Sequence, residues 1–321
     1  MKRYLIVGGA GFIGSHLART LVRLGKQVHV MVRETTDRDR LSDVEGEVTI
    51  HLGDVEDLGS LHQVYAAARP DVVFHLACAT KKTRKIAMFD SARRALKDVD
   101  GLLNVLAAAE HATRPPALFI RAGTLAEYGR GTHPYVEHQR ERPVSAHAVG
   151  MITATHLSDV LQTELSFPII TARLAIVYGP GQSRRFLVPQ LVENCLIGQT
   201  TRVRYPDEGR DLIHVNDVTQ ALALLSEKPP VSNRTINIAT GSATTMRDVA
   251  EIVKRHAKSP KETVAFGSGT SPNGVRDGSG SPDLMQELYG WRAQVSLDEG
   301  LRELVHSQLA VDHRPNGGVL G

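Results

Sequence analysis

The sequence predicts an α/β fold in which a parallel sheet carries helices on both faces. Short apolar runs typical of buried strands alternate with longer segments of helical periodicity. The first run passes through three spaced glycines directly into an amphipathic segment. The chain has 321 residues and is 41% hydrophobic and 23% charged, which is ordinary for a globular protein with a sizeable core.

The glycines of the first turn are spaced as Gly8, Gly11 and Gly14. In a strand–turn–helix unit, the first glycine permits the tight turn, the second lets backbone approach a pyrophosphate, and the third lets helix pack close on strand. Phe12 and Ile13 lie in the same turn and are candidate cofactor contacts. The following segment, residues 15–21, is predicted to be a helix whose N-terminus offers free N–H groups to phosphates. The pattern predicts a dinucleotide cradle in a Rossmann, doubly wound parallel sheet.

The remaining elements follow in alternation. Further strands are predicted at residues 28–32, 48–52, 72–76, 117–121 and 169–173, with helices between them, one of which ends near residue 107. The Gly/Ser/Pro-rich stretch 267–282 is predicted to be a loop. The tail, 311–321, is expected to lie over the surface or to be disordered.

The end of the second strand bears on cofactor choice. Enzymes that prefer NAD usually place an acidic residue about 20 residues beyond the glycines, on the ribose 2′-hydroxyl. Val32 occupies that place here, and Arg33 follows with a guanidinium that matches a phosphate. Thr35 and Arg38 lie just downstream, whereas Glu34 argues the other way. We therefore expect NADPH, with NADH as the alternative.

Several further motifs appear in a fixed order. They are Gly53-Asp54-Val55, His75-Leu76-Ala77, Tyr128-Gly129, the run 173–180, the run 210–218 and Tyr289-Gly290-Trp291. With the glycine pattern they cover about nine-tenths of the chain, which resembles an extended short-chain dehydrogenase/reductase of the nucleotide-sugar epimerase/dehydratase type.

That resemblance implies cofactor contacts and a domain division. It implies that Asp54 and Val55 contact adenine and that Leu76, Ala77 and Ala122 flank the cofactor. It also implies a smaller C-terminal substrate-binding subdomain that closes over the substrate. The expected division is a Rossmann domain of residues 1–178 with a return segment 211–242, and a substrate-binding subdomain of residues 179–210 and 243–310.

The resemblance also shows what the chain lacks. The family implies a Tyr-x-x-x-Lys pair at the start of a helix, in which tyrosine exchanges the proton and lysine depresses its pKa. Pro143 and Ser145 set the register, and His147 then stands at the tyrosine position and Met151 at the lysine position. Thr124 matches the earlier Ser/Thr that holds the substrate oxygen.

The substrate side departs from the family pattern as well. Ile176 stands where sugar-nucleotide members carry an Asn, Asp98 replaces another Asn, and the acidic pair of dehydratases is absent after Thr124. Arg210 and Arg276 match arginines that grip a diphosphate in sugar-nucleotide members. Arg184, with Arg185, and the basic run 80–85 are candidate rims of the substrate cleft.

Three functions fit these features. The first is an NADPH-dependent ketoreductase for an aromatic polyketide ketone, because the chain is similar to atypical angucyclinone ketoreductases that lack the pair. A phenol of the substrate would then stabilise the alkoxide. The second is a nucleotide-sugar epimerase or reductase that uses the His147 imidazole. The third is a non-catalytic NADP(H)-binding sensor.

Bulk properties exclude other classes. The net charge of +3 is too small to indicate binding of nucleic acid. No apolar run approaches the roughly 18 residues needed to span a bilayer. Strand one begins almost at once, which predicts no signal peptide. Two cysteines, Cys78 and Cys195, suit a reducing cytoplasm, and the scattered histidines predict no metal site. We expect a cytoplasmic monomer or homodimer with a small-molecule substrate.

Overall fold

The computed structural model describes residues 1–78, 88–230, 234–259, 263–269 and 277–312. Within those residues seven parallel strands form one sheet in the order β11-β6-β5-β4-β1-β2-β3. The strands are β1 (Arg3–Val7), β2 (Gln27–Val32), β3 (Val48–Leu52), β4 (Val72–His75), β5 (Leu118–Thr124), β6 (Ile169–Leu174) and β11 (Thr235–Ile238). The predicted doubly wound α/β fold is confirmed.

Helices cover both faces of the sheet. They are α1 (Phe12–Arg23), α2 (Leu58–Ala68), α3 (Met88–Glu110), α4 (Ala146–Leu161) and α6 (Val215–Glu227). Leu17 of α1 and Leu222 of α6 belong to the core on one face. Leu61 of α2, Leu102 of α3 and Ala154 of α4 belong to the core on the other. The apolar strands are thus buried on both sides, as the continuous apolar runs predict.

A third core lies outside the main sheet and joins residues from β7 to the C-terminal helix, among them Leu191, Val249 and Val305. Its helices are α5 (Leu187–Leu196), α7 (Met246–Ala257) and α9 (Leu297–Asp312), and α8 (Asp283–Tyr289) lies before α9. The short strands are β7 (Ile176–Tyr178), β8 (Thr201–Val203), β9 (Gly209–Arg210), β10 (Leu212–His214), β12 (Thr244–Thr245), β13 (Val264–Phe266) and β14 (Asp277–Gly278). The two-part division at the predicted boundaries stays a prediction.

Element ends differ from the predicted ones in physically simple ways. β5 continues to Thr124, three residues beyond the predicted end at Arg121. Ala122, Gly123 and Thr124 have little strand signal of their own, but each pairs with a residue of β6. The predicted loop 267–282 contains β14, and α9 runs to Asp312. In the described part of the chain, short 3₁₀ helices lie at Asp39–Leu41, Glu45–Glu47 and Leu125–Glu127.

Candidate functional site

The turn between β1 and α1 requires glycine at two of its positions. Gly8 has a φ of +86°, and a Cβ built there would lie 2.9 Å from the backbone nitrogen of Ala77. A Cβ on Gly14 would lie 2.4 Å from the Gly8 carbonyl oxygen. The Gly11 N–H donates to that same carbonyl at 3.0 Å, which closes the turn. The turn therefore brings α1 to β1 more closely than any side chain would allow.

The N-terminus of α1 is open for a ligand. Gly11 is the N-cap and supplies no side chain to satisfy the first N–H groups of the helix. Gly11 is exposed, and Phe12 and Ile13 are half-buried. The chain order switches beside β1, between β4 and β2, and such a switch point is where ligands bind in doubly wound sheets. This arrangement fits the pyrophosphate of a dinucleotide.

The residues predicted at the adenine end follow β2 and β3, which are neighbours. Val32 is buried, Arg33 and Thr35 are exposed, and Arg38 is half-buried. The Gly53 N–H donates to the Val32 carbonyl, so the ends of the two strands meet. Asp54 and Val55 come next; the Asp54 carboxylate accepts the Glu56 N–H, and the Val55 carbonyl accepts the Asn104 amide. Their cofactor contacts stay predictions.

The residues predicted at the nicotinamide end follow β4 and β5. Leu76 donates its N–H to Val7, and with Ala77 it lies against Gly8. Ala122 and Thr124 are half-buried at the end of β5. The Thr124 hydroxyl oxygen accepts the Ala126 N–H at 3.2 Å, and the structure gives its proton no acceptor among the described residues. A substrate oxygen is therefore a feasible acceptor for this hydroxyl.

The helix that should carry the Tyr/Lys pair is α4. Ser145 caps it by accepting the Ala148 N–H. His147 is exposed in the first turn, and Met151 is half-buried one turn later on the same face. The side chains thus occupy the positions of the missing pair, but the thioether of Met151 cannot replace an ammonium as a donor or as a charge.

A buried polar network lies beneath this face of α4. Arg121, on β5, is 2% exposed and donates to the Thr155 hydroxyl at 2.8 Å and to the Met151 carbonyl at 3.3 Å. Burial lowers the pKa of Arg121. Arg173, on β6, pairs with Glu127. These roles were not predicted from the sequence. The signal that could have indicated them is the presence of one arginine in each of two otherwise apolar strands.

A cavity of about 360 Å³ lies between β7, α5 and β8–β10. Its wall holds three aromatic rings, several aliphatic side chains including Ile176, the carboxylate of Glu208, and the arginines Arg202, Arg204 and Arg210. Arg210 also donates to the Gly209 carbonyl and to Glu208. Arg184 lies on the surface, paired with Glu193 of α5.

One loop connects this cavity to the cradle. His16 Nε2 of α1 lies 2.9 Å from the Pro180 carbonyl oxygen. Two residues later the side chain of Gln182 lines the cavity and donates to the Val177 carbonyl. A ligand in the cavity therefore lies on the other side of a short loop from the helix that would hold the cofactor.

The basic run 80–85 and Arg276 lie outside the described residues. Over the described ranges, no helix is long and apolar enough to cross a membrane, and no three His, Cys, Asp or Glu side chains are grouped to hold a metal ion. Neither Cys78 nor Cys195 forms a disulfide.

The chain is similar to a well-populated group of known proteins. The family described as GDP-mannose 4,6 dehydratase matches residues 5–304. The UDP-N-acetyl-alpha-D-glucosaminuronate decarboxylase of Bacillus cytotoxicus is 28% identical over 95% of this chain and 97% of its own. The UDP-glucose 4-epimerase of Thermotoga maritima with UDP-glucose has a TM-score of 0.86 and 26% identity, covering 97% of this chain and 99% of its own. The UDP-glucose 4-epimerase of Thermus thermophilus in complex with NAD has a TM-score of 0.80 and 26% identity, covering 95% and 98%.

Proposed function

This chain belongs to the extended short-chain dehydrogenase/reductases, in the family described as GDP-mannose 4,6 dehydratase, and from that premise we propose that it is an NAD(P)-dependent enzyme acting on a nucleotide-sugar. The family resemblance predicted from the motifs is thereby confirmed. The expected substrate is corrected. The relatives are nucleotide-sugar epimerases, dehydratases and decarboxylases, so a nucleotide-sugar replaces the polyketide ketone as the first candidate.

The cradle supports a pyridine dinucleotide. Gly8 and Gly14 leave no room for a Cβ, and Gly11 leaves the first N–H groups of α1 uncapped. When bound, the nicotinamide accepts or donates a hydride. Relatives with this fold have been solved with NAD. A preference for NADPH is our proposal, resting on Val32 and Arg33.

The main observation in favour of a nucleotide-sugar substrate is the arginine-lined cavity. A nucleoside diphosphate needs cationic forks for its phosphates and an apolar slot for its base. Arg202, Arg204 and Arg210 supply the first, and Phe186 with Tyr205 supplies the second. Arg184 and Arg210 are the weaker candidates, because Glu193 and Glu208 already pair with them.

Thr124 and His147 are the candidates for proton handling. The Thr124 hydroxyl donates a hydrogen bond to the reacting oxygen of the sugar. The His147 imidazole removes the proton of that sugar hydroxyl, or returns it, near neutral pH. The network around Arg121 holds α4, and with it His147, against β5. His147 is shorter than tyrosine, so a bridging water is part of this proposal.

A second candidate is the NADPH-dependent ketoreductase of an angucyclinone-type ketone. It is favoured by Met151, whose thioether leaves the nicotinamide side of α4 without the family's cation. The exposed Ile176 adds an apolar surface to the cavity wall. In that reaction a phenol of the substrate, and not a side chain of the protein, stabilises and protonates the alkoxide.

The test is a product assay. The protein is incubated with NADP or NAD and a panel of UDP-, dTDP- and GDP-sugars, and products are identified by mass spectrometry. We expect conversion of at least one sugar, with loss of its binding in Arg204→Ala and not in Arg23→Ala, an exposed arginine of α1. Reduction of an angucyclinone-type ketone without any sugar conversion would favour the second candidate. Cofactor binding without any turnover would favour a sensor.

A further inference from the structure

A second cationic concavity lies in the segment that joins β5 to α4. It is a bowl of about 530 Å³ whose wall carries Arg130, Arg140, Arg142, His133 and His138. We call it the basic bowl. Among the described residues that form its wall, none is acidic, and none lines the arginine-lined cavity.

The acidic side chains of the same segment point away from the bowl. Glu137 accepts the backbone N–H of Asn237 at 2.9 Å, and Glu141 accepts Arg173 at 2.6 Å. Within the described part of the chain, no carboxylate pairs with Arg140 or Arg142. The whole chain has a net charge of only +3. The three guanidinium groups of the bowl together carry a charge of the same size in one small region of the surface.

The backbone of the bowl is held in place. Arg130 donates its N–H to the Arg142 carbonyl at 3.1 Å, and Arg142 donates its N–H to the Tyr128 carbonyl at 2.9 Å. The Tyr135 hydroxyl donates to the Gly129 carbonyl at 2.6 Å, and its ring stacks on Tyr128 at 4.8 Å. These contacts close the two ends of the segment on each other, so the arginines project from a preorganised frame.

We propose that the basic bowl binds a small phosphate-bearing ligand, through a mono- or diphosphate group. Its volume lies within the roughly 300–1,000 Å³ of small-molecule sites. Guanidinium groups bind phosphate oxygens two at a time, and the two histidines offer further N–H donors. This site is separate from the nucleotide-sugar cavity and does not depend on the function proposed for it.

The experiment is a calorimetric titration of the full chain with sodium pyrophosphate and with sodium phosphate. The test variant is Arg140→Ala/Arg142→Ala. Its control is Arg23→Ala/Arg302→Ala, which removes the same charge outside both cavities; all four arginines are exposed. Both variants also carry Arg202→Ala/Arg204→Ala, so that anion binding in the arginine-lined cavity does not contribute. We expect saturable binding of at least one anion that weakens at least tenfold in the test variant and less than twofold in the control.

Three results would overturn the proposal: no saturable binding, loss of binding in the control variant alone, or binding of long-chain polyphosphate without either small anion. Hydrogen exchange on the unmodified protein provides a second measurement that needs no variant. Pyrophosphate must slow exchange in peptides covering residues 129–142, and unchanged exchange there would also overturn the proposal.

Discussion

Arg173 and Glu127 form an ion pair that water hardly reaches: Nε lies 2.8 Å from Oε2, and the side chains are 1% and 0% exposed. The same carboxylate accepts the Thr124 backbone N–H at 2.9 Å and the Thr155 hydroxyl at 2.8 Å. One acidic side chain thus ties β6 to the end of β5 and to α4, the elements that carry Thr124 and His147.

We predict that Glu127→Ala destabilises the protein strongly. Removing Glu127 leaves the buried Arg173 charge with Glu141 as its carboxylate partner among the described residues, so the cost is at most about 3–5 kcal/mol, the cost of a buried charge with no partner. Glu127→Gln should cost less, because the amide keeps hydrogen-bonding atoms. Urea unfolding measures both, with Asp298→Ala, from a surface pair with Arg255, as the control. Equal effects of Glu127→Ala and Asp298→Ala would contradict the structural role.

We predict that Gly11→Val abolishes cofactor binding while the fold persists. Gly11 has a φ of −69°, which any residue can adopt, and a Cβ there would lie 3.0 Å from the Gly8 carbonyl oxygen, so the turn must shift slightly while the branched side chain occupies the space of the pyrophosphate. Fluorescence titration measures cofactor affinity, and far-UV circular dichroism measures the fold. Gly46→Val is the matched control, since nothing lies within 4 Å of a Cβ there. Native affinity in Gly11→Val would place the cradle elsewhere.

We predict that Arg33→Ala weakens NADPH much more than NADH. Arg33 is exposed at the end of β2, where its guanidinium can pair with a 2′-phosphate. Loss of a charged hydrogen bond costs about 1.5–3 kcal/mol, or roughly 10- to 150-fold in Kd. Arg23→Ala serves as the control. If the unmodified protein binds the two cofactors equally well, Arg33 does not select between them.

We predict that His147→Ala separates the two candidate reactions. If His147 handles the proton of a nucleotide-sugar, single-turnover conversion at saturating cofactor should fall by roughly 100- to 10,000-fold. If a phenol of the substrate does so, most of the turnover should survive in His147→Ala, and methylation of that phenol should remove it instead. His62→Ala, an exposed histidine of α2, is the control. A large loss with intact binding would rule out the substrate-assisted reaction.

We predict an acid-sensitive contact between β2 and β3. His29 is 6% exposed, with Nδ1 2.9 Å from Nε2 of His51, and burial followed by the His51 and Arg3 charges lowers the pKa of His29 to about 4. The unfolded chain binds the proton near pH 6.5, so it holds more protons between that value and 4. Stability therefore falls as the pH drops through this window, by on the order of 3 kcal/mol.

The measurement is thermal unfolding between pH 7 and 4 for the unmodified protein and for His29→Gln. The substitution removes the titrating group, so the pH dependence should flatten in this variant. His62→Gln, which changes an exposed histidine, should keep the dependence of the unmodified protein. A slope that is unchanged in His29→Gln would assign the acid sensitivity to other groups.

The sequence by itself determined the glycine turn and most strands of the main sheet, because both depend on residues that are close together in the chain. The glycines at 8, 11 and 14 were predictable because a tight turn and a close helix are steric demands met within seven residues. Six strands of the main sheet were predictable because buried parallel strands are apolar throughout. The seventh, β11, was not predicted, because Thr235 and Asn237 alternate with its two isoleucines and interrupt the apolar run.

The tertiary structure alone decided which distant side chains meet. Glu127 and Arg173 are 46 residues apart and pair only because β5 and β6 are neighbours in one register. The basic bowl likewise depends on packing, because Glu137 and Glu141 have partners elsewhere, and no carboxylate among the described residues pairs with Arg140 or Arg142. Composition shows how many charges a segment contains, but packing decides which of them are neutralised, because ion pairing depends on distances that only the folded chain sets.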